Sequence, residues 1–455
     1  MMPITLSQLV RWCDGELLQG VPSVQVRSIS TDSRTVDEGQ IFLALKGDRF
    51  DAHDFIGSVV ERKAAALVVS NLTAETESFT GGIVRVKDTL RSLQRLAFNH
   101  RRESEGLFVV GVTGSNGKTS TKDFLGALLS TGGQVNCTVG NLNNHIGLPL
   151  TILAGDGNDK FGVWEMGMNH PGEIEALAEI SEPDAAVITH IGTAHIEHMM
   201  TREAIAEEKS ALAVAVPASG YCAMPVADDF FKYVSDRVSC ELIPVGIGEG
   251  DVRAEAVEVI EGGQIKFVLR SEMNDSPEIV LPVRGLHMVN NALLAAAVAL
   301  RQGIAPNVIA ENLGRVKLSG GRLQERTAGG FRFLDDSYNA NPDSMKAALE
   351  ALKISPAGGR RVAVLGFMGE LGEHEREAHL SVGGAVVTTG VDALVTVGTK
   401  AAMINEGAVG IQERHHFADH DAASQFLRDF LVYDDLVLVK GSRAAAMEKV
   451  INHFN

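Results

Sequence analysis

The segment Gly111-Val-Thr-Gly-Ser-Asn-Gly-Lys-Thr119 has the residue types and spacing to grip phosphate. Glycines at 111, 114 and 117 let the backbone turn tightly and aim its N–H groups at an anion. The apolar run Leu107–Val112 reads as a strand and Lys118–Ser130 as a helix, so the loop falls where a helix N-terminus adds positive charge. There Lys118 reaches the β- and γ-phosphates of a nucleotide, and the Thr119 hydroxyl holds Mg²⁺. The usual pattern carries glycine where this chain has Val112, so the match is to a variant spacing with Gly114 inside the loop. A glycine-rich βα turn without a ligand is the bland alternative. The Gly-Lys-Thr at the strand–helix junction argues against it.

A phosphate loop needs an acid on a neighbouring strand to complete the Mg²⁺ shell, and Glu165, ending the apolar run Phe161–Met166, is placed for that. His190, His195 and His198 form HxxxxHxxH, but no Cys or third-strand ligand accompanies them as a zinc site would require. Lys209 follows Glu207 and Glu208 on the helical stretch Arg202–Val216, and its spacing alone reads as a surface lysine paired with acids.

The elements that must position these residues alternate along the chain. Residues 1–104 read as a small α/β unit with strand-like pieces at Gln40–Leu45 and Ala65–Val69 and a helix at Thr89–His100. The charged segment His100–Glu105 reads as a linker. In 105–316, strands Phe161–Met166 and Ala185–Ile191 alternate with helices Gly172–Ile180 and Arg202–Val216, and an Ala/Leu-rich helix Gly285–Arg301 closes the region. In 317–455, strands Arg361–Leu365, Ala393–Val397 and Leu436–Val439 are again separated by helical segments. The fold expected is α/β with three domains, parallel sheets in the second and third, and helices on both sheet faces.

Composition narrows the partners. Lys+Arg total 41 against 58 Asp+Glu, a formal charge of -17, which argues against a nucleic-acid binder. The four cysteines are scattered with no CxxC, which fits a reducing compartment. The first residues lack the apolar block of a signal peptide. Ser210–Ala227 is uncharged, but Pro217, Ser219, Gly220 and Pro225 break it into a helix end, a turn and a strand, so no membrane span is expected.

The run Thr113-Gly-Ser-Asn-Gly-Lys-Thr-Ser120 resembles the ATP loop of the Mur ligases and their relatives, the folylpolyglutamate synthetases. These enzymes activate a carboxylate as an acyl phosphate and couple it to an amine. Further segments resemble the Mur branch that joins D-alanyl-D-alanine to a UDP-N-acetylmuramoyl-tripeptide. They are Ser30–Arg34, Leu43–Phe55, Gly140-Asn-Leu-Asn-Asn-His-Ile-Gly-Leu-Pro149, Asp335-Asp-Ser-Tyr-Asn-Ala-Asn-Pro-Asp-Ser-Met345 and Val439–Glu448. The resemblance runs in order along essentially the whole chain.

It implies a UDP-binding N-terminal domain (1–104), a central ATP-binding domain (105–316) and a C-terminal Rossmann-like domain (317–455). ATP would lie on Thr113, Gly114, Ser115, Asn116, Gly117, Lys118 and Thr119, with Asn291 and Arg322. Two Mg²⁺ are implied, one on Thr119 and Glu165, the other on His195 and a carbamylated Lys209; Lys118, Lys209, His195 and Arg322 would be catalytic. Substrate would be held by Ser33, Arg34, Lys46, Gly47, Asn143, Asn144, Asp336, Asn339 and Asn341. Two departures stand out. Ser210-Ala-Leu follows Lys209 where the family has Gly/Ala-Glu-Ile, and Met288 replaces an Asn paired with Asn291. Without the resemblance, Asp335–Met345 is equally a polar loop with a helix cap. The implied protein is a cytoplasmic monomer. The alternatives are the ligase adding the third residue, a folylpolyglutamate synthetase, or an inactive nucleotide-binding homologue.

Overall fold

The computed structural model describes residues 1–47, 49–272 and 275–455; Asp48, inside the 43–55 segment, lies outside the described residues. Three large sheets follow one another along the chain, and a two-stranded antiparallel ribbon pairs Ile4–Thr5 with Gln25–Val26.

The first has strands β1 (Glu16–Gln19), β2 (Ile29–Ser30), β3 (Ile41–Leu43), β4 (Ala66–Val69) and β5 (Gly82–Arg85) in the order β1-β5-β4-β3-β2. Only the β1–β5 pair is antiparallel. Every residue of β3 and β4 is buried, as expected of parallel strands covered on both faces. Helix α1 (Thr89–Glu103) starts at Asp88, whose carboxylate accepts the Arg91 N–H.

The linker reading of 100–105 is corrected here, because α1 continues through Glu103. Arg101 donates to the Ser181 carbonyl and to Asp184 at 3.0 and 3.1 Å, so this charged run docks the first unit on the second. Leu93 and Leu96 of α1 share one continuous core with Leu148, Ile152, Trp164 and Leu177.

The second sheet contains β6 (Phe108–Thr113), β7 (Val135–Cys137), β8 (Phe161–Glu165), β9 (Ala185–Ile188), β10 (Tyr221–Pro225), β11 (Glu241–Ile247), β12 (Val252–Val259), β13 (Ile265–Arg270) and β14 (Glu278–Leu281). Their order is β14-β13-β12-β11-β10-β9-β6-β8-β7. Strands β6 to β12 pair in parallel, and β12–β13–β14 extend the sheet antiparallel. That extension was not foreseen, although β12 alternates apolar and polar side chains as a half-exposed strand must. One face is covered by α2 (Lys118–Leu129) and the Ala-rich α5 (His287–Arg301), which interlock through Leu125, Leu128, Val289 and Leu293. The other carries α3 (Glu173–Ser181) and α4 (Arg202–Val214). The uncharged 210–227 stretch is the end of α4, a turn and β10. No helix among the described residues is long and apolar enough to cross a membrane.

The third sheet orders β15 (Gln324–Ala328), β16 (Phe331–Asp336), β17 (Arg361–Gly366), β18 (Ala393–Val397), β19 (Glu413–Phe417) and β20 (Leu436–Lys440) as β15-β16-β20-β17-β18-β19. All pairs are parallel except β15–β16. Helix α6 (Pro342–Ile354) leaves the C-terminal end of β16. Parallel sheets gather their loops at the carboxyl ends of the strands, and the second and third units turn those ends toward one cavity.

One buried base makes the fold acid-sensitive. His100 is 2% exposed and its Nε2 accepts the Met2 N–H at 3.1 Å, which requires a neutral ring. Burial, helped by the nearby α-amino charge, pushes its pKa from 6.5 down to about 4. Between these values the unfolded chain binds a proton that the folded chain does not, so stability present above 6.5 falls as pH drops toward 4. Urea unfolding at pH 7 and pH 4.5 is expected to show a smaller loss for His100→Phe than for the unaltered chain. Equal losses would exclude His100 as a contributor.

Candidate active site

The cavity between the second and third units has a volume of about 1060 Å³. Its floor is the loop between β6 and α2. Gly114 has φ +149, and a Cβ there would lie 1.9 Å from the Thr189 hydroxyl. Gly117 has φ +83, and its Cβ would strike the Asn291 amide oxygen at 2.6 Å. Both positions therefore require glycine on backbone and packing grounds. The loop is laced to the turn after β9. Ser115 N–H donates to the His190 carbonyl at 2.7 Å, Gly192 N–H donates to the Ser115 hydroxyl at 2.9 Å, and the Thr189 hydroxyl donates to the Asn116 carbonyl.

Lys118 opens α2 and donates its ammonium to the Gly114 carbonyl at 2.5 Å. Burial lowers its pKa; Glu165 and Glu370 oppose that shift and Arg322 adds to it, so all three charges lie close by. The Thr119 hydroxyl donates to Glu165 Oε2 at 3.1 Å, while Glu165 Oε1 is buried and has no partner among the described residues. Two hard oxygens, one unsatisfied, suit Mg²⁺.

His195 lies on the cavity wall with φ +65. Its Nδ1 is 2.5 Å from the Glu370 carboxylate. This contact with His195, opposed by burial, holds the Glu370 carboxyl below its usual range. Lys209 is 1% exposed, which overturns the surface-lysine reading of its spacing. It lies behind the wall rather than on it, and its ammonium has no partner among the described residues. Burial, then the charge of Lys118, lower its pKa well below the usual lysine value. The preceding Glu208 accepts the Gly172 and Ile174 N–H groups at 2.7 and 2.6 Å, capping α3 and fixing α4 beside it.

The third unit supplies the opposite wall. Arg322 stacks on Tyr338 with its guanidinium carbon 4.4 Å from the ring centre, and its Nε is buried without a partner among the described residues. Asp336 pairs with Lys440 at 2.6 Å, and Asn339 Oδ1 accepts from Ala340 and Arg443 N–H groups. Asn341 combines both readings of its segment. Its Oδ1 caps α6 through Ser344 N–H, and its Nδ2 donates to Asn116 Oδ1 at 2.8 Å, joining the third unit to the loop between β6 and α2. Asp343 adds a second clasp, accepting from the Thr193 N–H and hydroxyl at 3.0 and 3.1 Å.

Of the other residues singled out, Asn143, Asn144 and Asn291 lie on the wall, whereas Thr113 and Gly114 lie behind it, the Thr113 hydroxyl being committed to the Met166 carbonyl. Ser33, Arg34, Lys46 and Gly47 lie in the first unit, off this cavity; Arg34 pairs with Asp32 and Lys46 with Asp51. Sequence reasoning missed Glu370, Asn290 and Asp228. Asn290, two residues after the Met288 departure, lies on the wall and has a buried Oδ1 with no partner among the described residues. Asp228 holds His190 at 2.9 Å on the cavity wall. No spacing signal marks Glu370, which lies in a glycine-flanked loop after β17.

Three family models match in succession. "Mur ligase family, catalytic domain" covers 25–101, "Mur ligase middle domain" covers 112–299, and "Mur ligase, glutamate ligase domain" covers 321–443. The chain belongs to the Mur ligase family. This Mur ligase is 36% identical to the UDP-N-acetylmuramoyl-tripeptide--D-alanyl-D-alanine ligase of Escherichia coli (strain K12), across 99% of this chain and 98% of that one. It is also 36% identical to the ligase of the same name from Bacillus subtilis (strain 168), across 94% and 92%. Among solved structures, MurF from Acinetobacter baumannii superposes with a TM-score of 0.92 at 32% identity over 100% of this chain and 99% of that one. MurF from Thermotoga maritima in complex with ADP does so at 0.84 and 29%, covering 94% and 97%. A Mycobacterium tuberculosis folylpolyglutamate synthase, at 18% identity and 0.65 over 80% of this chain and 94% of that one, shares the fold.

The glycine constraint yields a test. Gly117→Ala puts a side chain in a left-handed position against Asn291, and the strain is expected to weaken ADP binding by calorimetry about tenfold or more. Unchanged affinity would show that the phosphates do not use this loop shape.

Proposed function

We propose that this Mur ligase joins D-alanyl-D-alanine to UDP-N-acetylmuramoyl-tripeptide, converting ATP to ADP and phosphate. The observation that carries the reading is the meeting of the phosphate loop and the Asp336–Asn341 run in one cavity, bonded through Asn116 and Asn341. Relatives similar over almost their full length carry the name of this reaction.

A carboxylate oxygen of the tripeptide attacks the γ-phosphorus, the bond to ADP breaks, and an acyl phosphate forms. The dipeptide amine then attacks the acyl carbon, loses a proton and expels phosphate. Lys118, exchanging its Gly114 carbonyl for phosphate oxygen, and Arg322, held against Tyr338, offset the charge that develops. The Asn341–Asn116 and Asp343–Thr193 bonds bring the third unit over the loop and keep water from the acyl phosphate.

Thr119 and Glu165 would hold one Mg²⁺, and His195 with carbamylated Lys209 a second. Bound there, the ions would neutralise charge on the phosphates. A lysine with a lowered pKa keeps more neutral amine at pH 7, the form that adds CO₂. Asn291 faces the nucleotide, Asn143, Asn144, Asp336 and Asn339 face the peptide ends, and Ser33, Arg34, Lys46 and Gly47 hold UDP. The reading includes division into 1–104, 105–316 and 317–455 and a cytoplasmic monomer.

ADP release should require tripeptide and D-alanyl-D-alanine together. Turnover with the dipeptide precursor and a diamino acid instead would overturn the substrate assignment. ¹³C-bicarbonate is expected to give a carbamate resonance that Lys209→Ala lacks, and Lys209→Ala retaining full activity would remove the carbamate from the mechanism.

A further inference from the structure

Among the described residues, the cavity wall carries four Lys or Arg side chains: Lys118, Arg322, Lys440 and Arg443. Three are accounted for. Lys118 sits in the phosphate loop, Arg322 faces it closely enough to affect its pKa, and Lys440, 3% exposed, is neutralised by Asp336 at 2.6 Å. Arg443 is different. Only Nη1 is engaged, by Glu448 at 3.0 Å, and no other acceptor holds the guanidinium among the described residues. Its backbone is held in place, since its N–H donates to Asn339 Oδ1 at 3.3 Å.

The neighbouring residue gives an independent observation. Ser442 is 4% exposed and lies on the same wall, yet its hydroxyl is buried with no partner among the described residues. An unpaired buried hydroxyl costs free energy unless a ligand satisfies it. A hydroxyl donor beside a guanidinium with a free edge is the donor set of a carboxylate site. Ser442 also abuts the Glu370 loop, because a Cβ on Gly369 would lie 3.9 Å from the Ser442 Cβ. The candidate site therefore adjoins the His195–Glu370 end of the cavity without coinciding with it.

We propose that Ser442 and Arg443 bind the terminal carboxylate of the incoming dipeptide, so that the enzyme selects a nucleophile with a free acid at its far end. This rests on the function proposed above. The dipeptide brings an amine, which must reach the acyl carbon, and a carboxylate, which must be held apart from the phosphates. Arg443 is the wall cation left for that second group.

The test uses the full chain with ATP and tripeptide and compares D-alanyl-D-alanine with its C-terminal amide. The unaltered enzyme is expected to favour the acid by about tenfold or more in kcat/KM, as a charge-assisted Arg–carboxylate contact would give. Arg443→Ala should raise the dipeptide KM, leave the ATP KM in place and bring the acid-to-amide ratio close to one, with Arg443→Lys recovering part of it. Ser442→Ala, nearly isosteric, should lower the ratio in the same direction and decides the matter if Arg443→Ala melts early. Variants that keep the original ratio while the unaltered enzyme uses the dipeptide would overturn this subsite alone. An unaltered enzyme inactive on the dipeptide but active on another amine would overturn the proposed function and the subsite with it.

Discussion

The loop between β6 and α2 is held by the close approach of Gly114 to Thr189, and the other parts of the site are arranged around that contact. No side chain fits at Gly114, because the Thr189 hydroxyl occupies the space while bonding to the Asn116 carbonyl. The loop thus borrows its shape from the end of β9, and Gly117 borrows its own from Asn291 on α5. Backbone N–H groups fixed by three elements need little reorganisation when an anion arrives, which is the source of electrostatic catalysis. The same lacing orders Asn116, and the ordered side chain is what the third unit bonds to.

Charge follows from this geometry. Lys118 is the cation of the 111–119 loop, and several acids around it have partners of their own. Glu165 is tied to Thr119, Asp336 to Lys440, Asp343 to Thr193 and Asp228 to His190. Lys209, enclosed behind the wall with Lys118 close enough to depress its pKa, is the cation least at home in this arrangement. Losing its proton relieves both burial and repulsion, so its environment favours the neutral amine.

Most of the frame could be read from residue order. Strand Ala393–Val397 has the bounds expected of it, and helix α2 begins at Lys118 as expected, because glycine stops and apolar periodicity mark such ends. The β12–β14 extension was overlooked because its alternation lacks the run of buried apolar residues that marked the parallel strands. The linker expectation at 100–105 failed for another reason. Charge density alone does not separate a solvated joint from a helix end whose arginine is bonded across an interface. At the site, glycines and Gly-Lys-Thr announce themselves by type, whereas Glu370 becomes meaningful only when the third sheet lies against His195. Burial of Lys209 is likewise a property of helix packing, invisible in a local Glu-Glu-Lys run.

Asn341 divides one amide between two tasks. Its oxygen starts α6 and its nitrogen holds the loop, so the side chain has no freedom to flip without losing both. A 13-residue helix is thereby bonded at its start to a residue of the 111–119 loop. A shift of Asn116 would pull on the side chain that starts α6, so one amide ties the glycine loop to the first turn of that helix.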